Sequence, residues 1–190
     1  MLEILKNIDQ FLFFKINTQY TSPLLDMGLV QVRNMFFWSP LYVFVVAFWL
    51  INFGKKGIWL LLGLLLTFVM ADQLASNLIK PFVARLRPCN TPELAAQIRL
   101  LVRCGSGYSF PSAHATNHFA IAFYLMPFFK KFGTLIKPLL FLWVASVAYA
   151  QVYVGVHYPI DVFSGALLGI GIGYFMGILL KNITSWDTLS

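Results

Sequence analysis

Long apolar runs separated by short polar or basic segments, rather than an alternation of apolar and polar positions, dominate this chain. Runs near twenty residues with few charges have the length a helix needs to cross a hydrocarbon core of roughly 30 Å. The first extends from about Met35 to Phe53 and is closed by Gly54-Lys55-Lys56-Gly57. The second covers Ile58 to Ile79, the third Ser112 to Phe129, the fourth Leu135 to Val154 and the fifth Ile160 to Leu180. A polar loop from Lys80 to Pro111 separates the second and third, and the link Gly155 to Pro159 joins the last two. A transmembrane β-barrel would instead show segments of about ten residues that alternate apolar and polar. The pattern predicts an all-α, polytopic membrane helical bundle with five transmembrane helices, read as a single membrane-embedded domain over residues 1–190.

The amino-terminal segment has a different pattern. Glu3, Lys6, Asp9 and Lys15 rule out both a spanning helix and the apolar core of a signal peptide, while Leu2, Leu5, Ile8, Leu12 and Ile16 recur at helical spacing. An amphipathic helix is expected, either lying in the membrane interface or packed on the bundle. In the fifth span Gly165, Gly169, Gly173 and Gly177 form a groove along one face, suited to close packing of another helix within the chain or in a homodimer. Asp72, Ser76 and Lys80, with Gln73 and Asn77 alongside, make an inward polar stripe on the second span, either functional or a hydrogen-bond network.

Composition agrees with the pattern: 59% of residues are hydrophobic and 11% charged, which excludes an ordinary soluble domain. The net charge of +7 carries no arginine-rich aromatic stripe, so the bilayer rather than nucleic acid is the expected partner. Alternation of direction sets His157 on the membrane side that holds Lys80, Arg87 and His114. The opposite side receives Lys55, Lys56, Lys130, Lys131, Lys137 and Lys181, with Asp187 its only acid. Short lysine-rich loops mark the cytoplasm, which puts the polar loop and the histidines on the extracytoplasmic side, in a bacterial plasma membrane.

The chain has three histidines, His114, His118 and His157. Lys80 precedes Arg87-Pro88 by the spacing Lys-x6-Arg-Pro; Pro111-Ser112-Ala113-His114 follows; His157 has Asp161 four positions on. In phosphoryl transfer the protein mainly positions groups and stabilises charge on the equatorial oxygens. Lys80 and Arg87 supply charge-assisted hydrogen bonds, and Ser112 a hydroxyl near a helix start. His157 attacks phosphorus through one ring nitrogen while Asp161 holds the other, and His114 protonates the leaving oxygen. His114 and His118, at i and i+4, also have metal-ligand spacing, but no HExxH glutamate or acidic cluster accompanies them; His118 suits core packing.

These segments resemble the type 2 phosphatidic acid phosphatase superfamily, whose signature is Lys-x6-Arg-Pro, Pro-Ser-x-His and Ser-Arg-x5-His-x3-Asp; the match spans positions 80–161. The resemblance implies a membrane phosphatase working through a phosphohistidine on His157, with no metal or other cofactor. It assigns Asp161 to orienting that ring, His114 to acid catalysis and Lys80, Arg87 and Ser112 to phosphate binding. It also implies a lipid phosphate or diphosphate substrate: undecaprenyl diphosphate, to which the reading leans, phosphatidylglycerophosphate or lipid A phosphate. Two positions depart from the pattern. Ala113 stands where glycine is frequent, and Ala150-Gln151 stands where Ser-Arg is expected, so one phosphate-binding arginine is missing. Gln151 still offers amide donors. Arg85, two residues before Arg87, is the expected substitute for that charge, both side chains of an extended segment turning toward the phosphate. The rival reading is a non-catalytic lipid-phosphate binding or transport protein with a decayed site, for which Gln151 is the best support. Cys89 and Cys104 share the polar loop; on an oxidising side they either form a disulfide over the site or stay unpaired thiols.

Overall fold

The computed structural model describes residues 2–129 and 133–184; Lys130, Lys131 and Asp187, used above to orient the chain, lie outside them. Every regular element among the described residues is helical, as a hydrocarbon solvent that cannot take up backbone hydrogen bonds requires. The α-helices, in chain order, are α1 (Leu2–Phe14), α2 (Pro23–Val32), α3 (Ser39–Gln73), α4 (Lys80–Val83), α5 (Pro92–Ala95), α6 (Ala113–Leu125), α7 (Gly133–Tyr153) and α8 (Pro159–Ile183).

Three stretches are long and apolar enough to cross a membrane: residues 35–95, 134–153 and 159–183. The first holds both of the first two expected spans. They meet at Gly54, whose φ of 50° and ψ of −123° break α3. A Cβ built on Gly57 would lie 2.2 Å from the Trp49 carbonyl oxygen, whereas eight residues of unbroken helix would separate these positions by about 12 Å. The chain therefore doubles back, and α3 is a hairpin with Gly-Lys-Lys-Gly as its turn. The third expected span is shorter than its apolar run: α6 has 13 residues, about 20 Å of helix, extended by one tight turn over Met126–Phe128. Its neighbours α3, α7 and α8 cover it, so its apolar residues fill the centre of the bundle rather than face lipid.

The glycine stripe of α8 lies against α6. Cβ atoms added at Gly165, Gly169, Gly173 and Gly177 would fall 2.2–2.6 Å from the carbonyl oxygens of Ser112, Thr116, Ala120 and Tyr124. Steps of four residues on one helix match steps of four on the other in the same direction, so the two run parallel with their backbones almost touching. The stripe thus serves a contact inside the chain, and nothing supports its use between two copies. At one end of the bundle Trp49, Leu60, Tyr124, Phe128 and Met176 pack together, beside the α3 turn that carries Lys55 and Lys56. At the other end α1 packs on the start of α8 and α2 on the end of α7.

Along α1 the expected apolar positions Leu5, Ile8 and Leu12 face outward, while Asp9, Phe13 and Asn17 are buried. Phe13 packs with Leu94, Val152 and Tyr158. The Asn17 amide donates to the carbonyls of Arg99 (2.8 Å) and Tyr153 (2.7 Å) and accepts from the Arg99 N–H. The helix and the turn after it dock on the bundle by the edge that carries Asp9, Phe13 and Asn17 and leave Leu5, Ile8 and Leu12 free.

Candidate active site

The three signature segments converge where α6 and α8 begin. The Ser112 N–H donates to the Asp161 carbonyl at 2.9 Å, which fixes one helix start against the other. Buried Ser109 donates its backbone N–H to the Arg85 carbonyl (2.8 Å) and its hydroxyl to the carbonyls of Arg85 and Leu86, so the arginine segment is strapped beside the segment leading to His114. Cys89 and Cys104 are bonded, with Cα atoms 6.1 Å apart, and close the polar loop as one of the two expected alternatives.

His157 sits in the turn between α7 and α8. Gly155, at φ 88°, makes that reversal, and a Cβ there would meet the Arg99 carbonyl oxygen at 2.8 Å. The His157 N–H then returns to the Gln151 carbonyl at 3.2 Å, which buries the ring to 2% exposure. Arg87 is placed by hydrogen bonds from Nε to the Gly107 carbonyl (2.9 Å) and from one terminal nitrogen to the Val156 carbonyl (3.2 Å). The same nitrogen lies 3.1 Å from His157 Nε2. A guanidinium only donates, so Nε2 carries the lone pair and Nδ1 the proton. Nδ1 faces Asp161 Oδ2 at 3.6 Å, too long for a full hydrogen bond, and it has no other partner among the described residues. Burial, reinforced by the Arg87 charge and partly opposed by Asp161, holds the His157 pKa down to about 4; the ring is neutral at neutral pH.

Asp161 is fully buried and doubly anchored. As the third residue of α8 it accepts from the Tyr158 N–H at 2.9 Å, where a helix N-terminus favours a carboxylate. Its other oxygen pairs with Arg85 at 2.6 Å. Here the structure corrects the expectation that Arg85 points with Arg87 toward a phosphate. The Arg85 guanidinium is held at 2.6 Å by Asp161 and at 2.6 Å by Asp9, and lies 4.0 Å above the Tyr158 ring. Two buried carboxylates engage it, so it braces Asp161 beside the His157 ring. Asp9, which also accepts from the Ile160 N–H at 2.8 Å, was missed as a site residue. Its signal was an acid surrounded by apolar residues of α1, costly to bury without a partner.

The other expected residues gather around this centre. Ser112 is buried and caps α6, its oxygen accepting from the Ala115 N–H at 3.4 Å. Lys80, half-buried at the start of α4, and His114, on the first turn of α6, lie within electrostatic reach of His157. His118 Nδ1 meets the His114 carbonyl at 2.9 Å and its ring packs edge-on against Trp143 at 5.3 Å. Gln151 is completely buried, and neither end of its amide has a partner among the described residues. The polar stripe of α3 ties α3 to α6: the Asn117 amide donates to Asp72 at 2.9 Å.

A family model described as the PAP2 superfamily matches residues 56–184. A lipid A 4'-phosphatase of Bacteroides thetaiotaomicron is 32% identical, across 97% of this chain and 82% of its own length. The crystal structure of LpxE from Aquifex aeolicus superposes with a TM-score of 0.67 at 31% identity, over 92% of this chain and 95% of that one. A transmembrane PAP2-type phosphatidylglycerolphosphate phosphatase from Bacillus subtilis gives a TM-score of 0.70 at 25% identity, over 96% of this chain and 87% of its own. With sequence, fold and the family's signature segments in agreement over most of its length, the chain belongs to the PAP2 superfamily, as an integral membrane phosphatase.

Proposed function

We propose that this membrane lipid phosphatase works through a phosphohistidine on His157 and needs no metal ion. The observation that carries this reading is the Arg87 contact at 3.1 Å on His157 Nε2: it keeps the lone pair on the buried nitrogen and sets a phosphate-binding cation beside it. Nε2 attacks phosphorus as the bond to the lipid oxygen breaks; His114 gives that oxygen its proton. Asp161 balances the charge that grows on the imidazole. A water molecule then attacks the phosphohistidine and yields its proton to His114, the P–N bond breaks, and inorganic phosphate leaves. Lys80, Arg87 and Ser112 hold the equatorial oxygens throughout, with amide donors from Gln151. With these groups assembled, the decayed-site alternative has only Gln151 in its favour.

Similarity along nearly the whole chain to a lipid A 4'-phosphatase favours a phosphate monoester on a lipid A-type glycolipid over the undecaprenyl diphosphate toward which the sequence alone leaned. The disulfide and the lysines at the opposite end support an extracytoplasmic site in a bacterial plasma membrane. Five crossings follow if the two limbs of α3, α6, α7 and α8 each traverse the bilayer. Residues 1–190 act as one domain in this reading, because α1 contributes Asp9 to the site. The test is phosphate release from lipid A, undecaprenyl diphosphate and phosphatidylglycerophosphate in detergent with EDTA present. Release from lipid A with EDTA, lost in His157→Ala together with an acid-labile phosphoenzyme, is expected. Loss of activity on adding EDTA, or a phosphoenzyme that survives in His157→Ala, would refute the mechanism.

A further inference from the structure

Gln151 leaves one side of the bound phosphate without a charge, and Arg85, committed to Asp9 and Asp161, is unable to supply it. Arg33 lies outside all three signature segments, as the C-cap of α2, yet its helix packs on the end of α7 that carries Gln151. Leu29, one turn earlier on α2, packs in one cluster with Ala150, the immediate neighbour of Gln151. Just past Arg33, the Trp38 indole N–H donates to the Val32 carbonyl at 2.7 Å. The Trp38 ring meets Trp143 at 5.8 Å, Trp143 meets His118 at 5.3 Å, and His118 stacks beside His114 at 6.4 Å. The α2–α3 junction is therefore wedged between the Gln151 level of α7 and the His114 side of α6.

The state of the side chain in that position points to a ligand. Arg33 Nε is buried with no hydrogen-bond partner, and no carboxylate pairs with Arg33 among the described residues. Its charge is felt at the Arg87 guanidinium and at the His114 ring. Arg87, likewise without a carboxylate, donates only to carbonyls and to His157. Half-buried guanidiniums with no carboxylate in contact are unfavourable unless an anion joins them, and a forked guanidinium matches two phosphoryl oxygens at once.

We propose that Arg33 is a phosphate-binding residue of this enzyme, reaching from α2 to the phosphoryl oxygens on the side that Gln151 leaves uncharged. The inference rests on the phosphatase reading above, so wild-type phosphate release is measured first; without it that reading fails, whatever Arg33 does. In the active enzyme, Arg33→Ala and the milder Arg33→Gln should each lower kcat/KM by about 10- to 100-fold and weaken competitive inhibition by inorganic phosphate at least several-fold. Arg33→Lys should recover part of both. Gln151→Arg, placed in the Arg33→Gln background, should restore activity and phosphate inhibition together, because the charge returns at the family's usual position. Unchanged phosphate inhibition in a folded Arg33→Gln protein, judged by its melting temperature and elution profile, would overturn the proposal. So would a loss of activity that Gln151→Arg leaves untouched. Should Arg33→Ala fail to fold, the Gln and Lys variants decide.

Discussion

Arg85 and Arg87 stand two positions apart, and an extended chain turns both side chains to one side. They nevertheless divide into a brace and a contact: Arg85 holds Asp161 and Asp9, Arg87 touches His157 Nε2. Arg85→Ala leaves a fully buried Asp161 without its cation, a loss of up to about 3 kcal/mol, scaled down from typical buried pairs because Arg85 is partly exposed. The expected outcome is a fall in kcat of about one to two orders of magnitude, inhibition by inorganic phosphate near the wild-type value, and no rescue by Gln151→Arg. Phosphate inhibition weakened in step with kcat/KM would return Arg85 to the substrate. The pH behaviour belongs to His157. Its ring holds a pKa of about 4 against an ordinary value near 6.5, so between these limits an unfolded chain takes up a proton that the folded one refuses. Stability from this residue is complete above about pH 6.5 and declines as pH falls toward 4. The acid limb of kcat/KM should accordingly lie well below 6.5; a midpoint at 6.5 would mean a ring far more solvated than the structure shows.

Helix α8 has its glycines where α6 comes closest, a relation its own sequence hints at without naming the partner. Gly173→Ala would set a Cβ 2.2 Å from the Ala120 carbonyl oxygen; neither backbone yields without shifting the register that aligns Ser112 with Asp161. Overpacking of this kind costs about 1–3 kcal/mol, seen as a lower melting temperature in detergent and reduced activity. Gly171→Ala, whose Cβ meets nothing within 4 Å, should leave both unchanged and serves as the control. At this scale the apolar runs located α7 and α8 closely. Gly-Lys-Lys-Gly marked the reversal in α3, because glycine alone readily takes positive φ. The extent of α6 was not legible: a buried helix and a lipid-facing one are equally apolar, so its composition does not report how far it continues.

For the whole molecule, the disulfide is the feature that connects fold to compartment. Closing the 15-residue separation between Cys89 and Cys104 should contribute about 3 kcal/mol by the chain-entropy model. Protein from an oxidising envelope should show no alkylatable thiol until reduced, and its melting temperature should fall by several degrees on reduction. Two freely alkylated thiols without reductant would place the loop on the reducing side and reverse the proposed orientation.

The sequence by itself determined the membrane class, through run length, and pointed to the family, through Lys80, Arg87, Ser112, His114, His157 and Asp161 at their spacings. Those spacings are local, set by a helix turn or a short link, and so survive without knowledge of the fold. What only the tertiary structure decided are pairings between distant segments. Asp9 meets Arg85 and the start of α8 across most of the chain's length. Arg85 turns to carboxylates rather than to phosphate, and α2 packs on the end of α7 through Leu29 and Ala150. No periodicity encodes such contacts. The partner of a buried charge depends on which helices stand side by side, and in this bundle that arrangement follows from the close approach that the α8 glycines permit.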